Sequence, residues 1–149
     1  MGDSAIARNP TAARDYHLLE SLEAGVELKG SEVKSLRARR ANLKDGFARI
    51  EKGQIWLYGL DIPPYPQAGW PVPEPKRVRR LLLHRIQIAR LEGRLAGGGM
   101  TIVATRLYFK GPRVKVELAL AKGKKVFDKR EAIKRREVDL EIRRALKRS

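Results

Sequence analysis

The spacing of apolar residues changes period several times along the chain, and strand-like spacing predominates. Between Tyr16 and Leu28, the residues Tyr16, Leu18, Leu22, Val26 and Leu28 occupy even positions, a period of two that puts them on one face of an extended strand. Ala24-Gly25 offer a place to bend, so one long bent strand or two short ones are expected. Beyond Gly30-Ser31, Val33 and Leu36 lie three apart, which predicts a short helix over Glu32–Arg37 with Ser31 as its cap.

Alternation returns after Lys44. Phe47, Arg49 and Glu51 oppose Ala48 and Ile50, Glu51-Lys52-Gly53-Gln54 supplies a tight turn, and Ile55 to Leu60 forms the second arm of a hairpin. Six prolines between Pro63 and Pro75 make the next stretch an extended loop. Its end, Lys76-Arg77-Val78-Arg79-Arg80, is expected to lead straight into a helix. Leu82, Leu83, Ile86, Ala89 and Leu95 give that helix its spacing from about Leu81 to Leu95, and Gly97-Gly98-Gly99 stop it. Met100 to Phe109 and Arg113 to Ala121 read as a second hairpin joined through Lys110-Gly111-Pro112. Val114, Val116, Leu118 and Leu120 alternate with Lys115 and Glu117, giving one buried and one wet face. An opening strand, two hairpins and two short helices fit a mainly β fold, a small closed barrel with helical caps. The OB-fold is the common barrel of this kind among nucleic-acid binders.

Charge changes the picture from a generic barrel to a binder of polyanions. The chain of 149 residues, 42% hydrophobic, is long enough for one domain with a genuine core. Lys and Arg number 33 against 17 Asp and Glu, a net charge of +16. Residues 122–149 hold twelve of those cations against five acids, with neither glycine nor proline after Gly123. The chain therefore divides into residues 1–121, a basic barrel with an N-terminal arm, and residues 122–149, a basic tail. A like-charged block so dense is expected to stay mobile until a partner neutralises it.

Lys34, Arg37, Arg39 and Arg40 form one basic cluster and Arg77, Arg79 and Arg80 a second, each suited to phosphates and counterion release. Tyr16, Trp56, Tyr58, Tyr65, Trp70, Tyr108 and Phe109 could stack on bases, although those on strands are expected in the barrel core. Catalysis has little to rest on. His17 and His84 have no spaced second ligand or nucleophile, and Glu23, Glu27 and Glu32 read as ion-pair partners or acceptors for RNA. Gly97–Gly99 lack the Lys-Ser/Thr of a phosphate loop. With no cysteine, disulfides, thiolate chemistry and Cys-based zinc sites are excluded. No cofactor or metal is expected. No apolar run approaches the roughly 18–20 residues of a membrane span, and Met1–Ile6 has no signal-peptide layout, so a cytoplasmic protein with no membrane partner is expected. These features alone leave two readings: a general OB-fold binder of RNA or single strands, such as a ribosomal or initiation protein, and a nuclease or RNA-modifying enzyme, which has only unspaced Glu and His in its favour.

Specific strings separate them. Leu22-Glu23-Ala24-Gly25, Gly30-Ser31-Glu32-Val33-Lys34-Ser35-Leu36-Arg37, Ala41-Asn42, Arg79-Arg80-Leu81-Leu82-Leu83, Leu107-Tyr108-Phe109-Lys110, and Ala121-Lys122-Gly123-Lys124-Lys125 with Asp128-Lys129-Arg130 occur in that order. From about Asn9 into the tail the chain closely resembles the small protein B family, the SsrA-binding proteins of bacterial trans-translation. The resemblance implies a six-stranded OB-like closed barrel with peripheral helices and a tail that is disordered when free and helical when bound. It also implies a non-enzymatic protein, monomeric when free, that binds the tRNA-like domain of transfer-messenger RNA and delivers it to stalled ribosomes.

By position, the resemblance assigns RNA binding to Asn9, Glu23, Glu32, Lys34, Arg37 and Leu82, with Glu23 accepting from RNA and Leu82 packing at the contact. It assigns the small-subunit decoding centre and empty mRNA channel to Gly123, Lys124, Lys125, Phe127, Asp128, Lys129, Arg130 and Lys134, with Phe127 where an aromatic or His stacks on a base. Val138, Ile142, Ala145 and Leu146 would form an apolar stripe on a tail helix. The chain departs from the family at Pro10, Thr11 and Ala13, which replace basic residues, and at Arg14, which replaces a His. Asp61 stands where an uncharged residue or His is usual, and Ala104 where proline is customary.

Overall fold

In the computed structural model, which describes residues 5–66 and 72–124, the elements alternate short helices with long antiparallel strands. Their order is β1 (Ala5–Arg8), α1 (Pro10–Asp15), β2 (Tyr16–Val26), α2 (Gly30–Arg37), β3 (Phe47–Glu51), β4 (Gln54–Tyr58), β5 (Arg79–Leu82), α3 (Arg85–Leu95), β6 (Thr101–Lys110) and β7 (Arg113–Gly123). Hydrogen bonds join β6 to β3, β3 to β4, β4 to β5, β5 to β2, β2 to β7, and β7 back to β6. Six strands thus close a ring with no free edge among them, and β1 lies outside it against β6. The expected mainly β closed barrel is what forms.

The alternation along β7 explains the closure. Val114, Val116, Leu118 and Leu120 point inward and are buried, joining Ile55, Leu57, Leu81, Ile102, Leu107 and Leu36 in one core. Ala119 and Ala121, on the opposite face, are buried too, because α1 covers them with Ala12 and Val103 in a smaller second cluster. The β3–β4 turn has Lys52 at φ 51° and Gly53 at φ 75°, the paired left-handed conformations that match strand twist in a two-residue hairpin. Gly59, at φ 83°, is required for a second reason: a Cβ there would lie 3.0 Å from Gly46 Cα.

Four expectations need correction. The helix begins at Arg85, with His84 as N-cap, and residues 79–82 form strand β5 instead. Arg79 and Leu81 face inward and Arg80 and Leu82 outward, a period of two hidden by the three adjacent leucines. The bend in β2 comes from a bulge at Leu19, where pairing jumps from Leu18↔Ala121 to Glu20↔Leu120, so Leu18 and Leu19 are both exposed. Helix α2 is capped at Lys29, two residues earlier than the expected Ser31, because the Glu32 carboxylate accepts the Lys29 N–H at 2.9 Å. Finally, β1 and α1 were not foreseen. Asn9 caps α1 and Pro10 opens it, both standard helix-start residues. Ala104 N–H donates to Gly46 O at 2.9 Å, a bond that a proline at this position could not make.

Candidate nucleic-acid interface

Gly25 creates the site. On β2 it faces Leu82 of β5, whose Cβ lies only 3.3 Å from where a Gly25 Cβ would stand, so the leucine lies flat across the neighbouring strand. Leu82 remains 49% exposed. Two clefts meet at it. One, of about 360 Å³, is lined by Glu23, Arg80, Leu82, His84, Gln87 and Lys115, and the other, of about 400 Å³, includes Leu28, Val33, Arg113, Val114 and Lys115. An exposed aliphatic platform ringed by Arg80, Arg113 and Lys115 suits a single-stranded polyanion with apolar bases.

Among the described residues that line the two clefts, Glu23 is the one acid, and Glu27 lies 3.9 Å from Arg80 at their edge. Glu23 points outward, opposite Glu117 of β7, and like charges so placed would repel. Each has its own donors. Glu117 accepts from Thr105 Oγ1 at 2.8 Å and Arg106 Nε at 3.3 Å. Glu23 accepts from the Tyr108 hydroxyl and from Lys110 Nζ at 3.1 Å, both on β6, so these side chains reach across the whole of β7. The Tyr108 hydrogen bond holds the Glu23 carboxyl below its ordinary pKa, with Lys110 adding to it against a partial burial that opposes ionisation. Burial, and then Glu23, push the Tyr108 hydroxyl well above the ordinary tyrosine value. Arg106 lies over the Tyr108 ring at 4.6 Å.

Glu32 is placed differently: it is buried and accepts from Arg77 and Arg79 at distances down to 2.5 and 2.6 Å. The fully buried Arg79 also donates to the carbonyls of Leu60, Pro75 and Arg77 at 2.7, 3.0 and 3.0 Å. All its N–H groups are thereby used, and the two feet of the proline-rich loop are clasped to α2 and β5. The Arg77–Arg80 cluster therefore does not present one cationic face. Arg79 is inside, Arg77 is held by Glu32, and Arg80 alone of the three is exposed. Ser35 Oγ adds a bond to Pro63 O at 2.8 Å. On the outer side of α2, Lys34 and Arg37 are exposed, with Lys34 Nζ 5.9 Å from the centre of the Tyr65 ring.

Asn9 faces inward as well. Its amide donates to Ala104 O at 2.8 Å and Gly46 O at 3.3 Å, and its oxygen accepts from the backbone and hydroxyl of Thr11 and from Asp45 N–H. It ties α1, β6 and the turn before β3 together. Of the assigned RNA-binding residues, Glu23 and Leu82 share one cleft, Lys34 and Arg37 share one helix face, and Asn9 and Glu32 are buried in the framework. Lys122 and Gly123 are still in β7, paired with His17 and Tyr16, and Lys124 follows directly. Lys125, Phe127, Asp128, Lys129, Arg130 and Lys134 lie outside the described residues, as does the tail's apolar stripe.

Sequence reasoning missed Lys110, Arg113 and Lys115 as parts of this surface. The outward phase of Arg113 and Lys115 was readable from the valines that alternate with them, but not the strand register that sets them beside Leu82, and Lys110 joins through its bond to Glu23. Strand aromatics divide: Phe109 packs against the barrel core as expected, whereas Trp56 stands outside it, alternating with buried Ile55 and Leu57 and pairing with Arg49 on one side and Arg80 on the other. Among the described residues no group of His, Asp and Glu is placed to hold a metal ion, and no helix is long and apolar enough to cross a membrane.

Known proteins resemble this chain in sequence and fold. The family model described as SmpB protein matches residues 6–148. The SsrA-binding protein of Carboxydothermus hydrogenoformans is 52% identical over 145 residues, 97% of each chain. That of Thermobifida fusca is 49% identical over 147 residues, 99% of this chain and 92% of its own. A solved structure described as "tmRNA-SmpB: a journey to the center of the bacterial ribosome" is 43% identical with a TM-score of 0.65, covering 78% of this chain and 82% of that one.

Proposed function

The chain belongs to the SmpB family, and from that premise we propose that it is an RNA-binding factor of trans-translation, binding transfer-messenger RNA and bringing it to stalled ribosomes. The observation that carries this reading is identity of about half, over nearly the whole length of both chains, with proteins that bind SsrA RNA. The barrel supplies chemistry suited to it. Leu82 and Glu23 offer an apolar platform and an acceptor to unpaired bases, while Lys34, Arg37, Arg80 and Lys115 offer charge to phosphates. Glu32 serves the same surface from beneath by clasping Arg77 and Arg79 to α2, and Asn9 holds β6, the strand that carries Tyr108 and Lys110.

Barrel and tail divide the work in this reading. The body holds the RNA, and Gly123, Lys124, Lys125, Phe127, Asp128, Lys129, Arg130 and Lys134 meet the small subunit at the decoding centre and empty mRNA path. A chain ending at Lys124 keeps every described strand and tests the division. It is expected to bind a tRNA-like-domain fragment in excess bulk tRNA as tightly as the full chain, yet to support no peptide tagging on stalled ribosomes. Loss of both activities, or of neither, would refute the division of labour. Failure of the full chain to prefer the fragment over bulk tRNA would refute the RNA-binding reading itself.

A further inference from the structure

We propose that Trp56 is a stacking platform for an unpaired RNA base on the outer face of the β3–β4 hairpin, with Arg49 and Arg80 holding the phosphates on either side. The inference rests on the RNA-binding reading above and adds a separate site to it. Strand register builds that site. Trp56 of β4 pairs with Arg49 of β3 on one side and with Arg80 of β5 on the other, and all three lie in the outward phase of their strands. A single row, Arg49–Trp56–Arg80, therefore crosses three strands, with neighbouring side chains rooted about 4.5–5.5 Å apart.

What sets Trp56 apart from the aromatics beside it is that its chemistry is unspent. Phe47 and Tyr58, the next pair along the hairpin, stack on each other with ring centres 5.2 Å apart. Tyr58 also donates its hydroxyl to Glu51 at 3.1 Å and carries the Arg49 guanidinium 6.0 Å from its ring centre. Stabilising the hairpin accounts for that pair. Among the described residues, no ring or cation lies against the Trp56 indole and no acceptor takes its N–H. Half-buried on a strand, the indole keeps an apolar face and a donor for a partner.

The flanking charges say what that partner is. Arg49 meets Glu51 at 3.8 Å and Arg80 meets Glu27 at 3.9 Å, long pairs between exposed side chains that contribute little and give way to a phosphate. Arg80 Nε donates to Gln54 Oε1 at 3.1 Å, which orients the guanidinium and leaves its terminal nitrogens for the anion. An indole between two such arginines fits a nucleotide better than an apolar peptide, and stacking of this kind accepts any base. Continuity of the surface identifies the RNA as the one bound by the barrel. Arg80 also lines the cleft at Leu82, and Leu82, two residues further along β5, is the diagonal neighbour of Trp56 at about 7–8 Å. A strand leaving that cleft over Arg80 meets the indole next.

The test titrates the tRNA-like-domain RNA into the full chain carrying Trp70→Phe, which makes Trp56 the sole tryptophan. Saturating RNA is expected to quench most of the Trp56 emission, whereas heparin, a polyanion without bases, leaves it unchanged. In the otherwise unaltered chain, Trp56→Ala is expected to weaken RNA binding on the order of tenfold, the loss of one stacked base, and Trp56→Phe to keep most of the affinity. Arg49→Met is expected to lower the slope of log affinity against log salt by about one while the quenching persists. Unchanged emission at saturation, equal quenching by heparin, or full affinity in Trp56→Ala overturns the assignment. A blue shift that follows protein concentration without RNA would put a second copy of the chain on this face and overturn it as well. Each result presupposes that the full chain prefers the fragment over bulk tRNA, so a failure of the functional reading is seen separately.

Discussion

Replacing Glu32 by glutamine changes little in volume and a great deal in charge. Its two oxygens accept from Lys29 N–H at 2.9 Å, from Arg77 Nε and Nη2 at 3.0 and 2.5 Å, and from Arg79 Nε and Nη2 at 3.1 and 2.6 Å. Glutamine keeps one oxygen and points an NH2 at a guanidinium, leaving the fully buried Arg79 without its counter-charge. Removing one partner of a buried ion pair costs roughly 3–5 kcal/mol. Against the roughly 5–15 kcal/mol that holds a domain folded, this is a large share. The melting temperature should fall by about 10 °C or more. Burial disfavours ionisation of Glu32, but the hydrogen bonds from Arg77, Lys29 and Arg79 outweigh it and place the carboxyl below its ordinary pKa. With the folded value below the unfolded one, the carboxylate's stabilisation is complete above the unfolded value of about 4.3 and is lost as pH falls through the folded value. Urea unfolding followed by circular dichroism should therefore show the full gap between wild type and Glu32→Gln at neutral pH. The gap should narrow as acid protonates the carboxyl. A gap under about 1 kcal/mol at neutral pH, or one that stays constant into acid, would falsify the assignment of Glu32 as the buried counter-charge.

Asn9→Ala should cost about 2–3 kcal/mol in chemical denaturation through the lost helix cap and its buried partners, while RNA affinity per folded molecule stays unchanged. A specific affinity loss at full stability would show that Asn9 meets RNA directly. Gly59→Ala should destabilise by about 2 kcal/mol or more, from the left-handed backbone together with the Gly46 contact. Gly53→Ala, left-handed but with nothing within 4 Å of the new Cβ, should cost only about 1 kcal/mol. Lys34→Met and Arg37→Met should each reduce the slope of log affinity against log salt by about one, and an unchanged slope would remove that residue from the phosphate contacts.

What could be read from the sequence follows the range of the forces involved. Both hairpins were legible because alternation and turn chemistry are local: Lys52-Gly53 and Gly111-Pro112 lie where the reading put them. Strand β5 was not legible, because its inward phase includes Arg79, and charge argues against a core position. The permission to bury it comes from Glu32, 47 residues away in the chain. The N-cap of α2 fell to Lys29 for a related reason, since Glu32 closes back on its N–H while serving two arginines. Glu23 and Leu82 entered the candidate site by resemblance, and register explains why they belong together. Asn9 and Glu32 entered by the same route, but their contacts are internal. A family string marks what a surface needs, whether it touches the partner or holds up what does.

Strand β7 pairs with β6 from Arg113 to Ala121 and with β2 from Lys115 to Gly123, so it is flanked on both sides from Lys115 to Ala121, and its last residues pair with the beginning of β2. Lys122 and Gly123, at its end, are held by β2 alone. A pull along the axis of β7 would load two ladders of hydrogen bonds in shear, all at once, instead of peeling them apart one by one. The barrel is thus mechanically stiff toward its own C-terminal extension. Tension applied along the axis of β7 at its C-terminal end would move the barrel as a unit before it could unravel the strand.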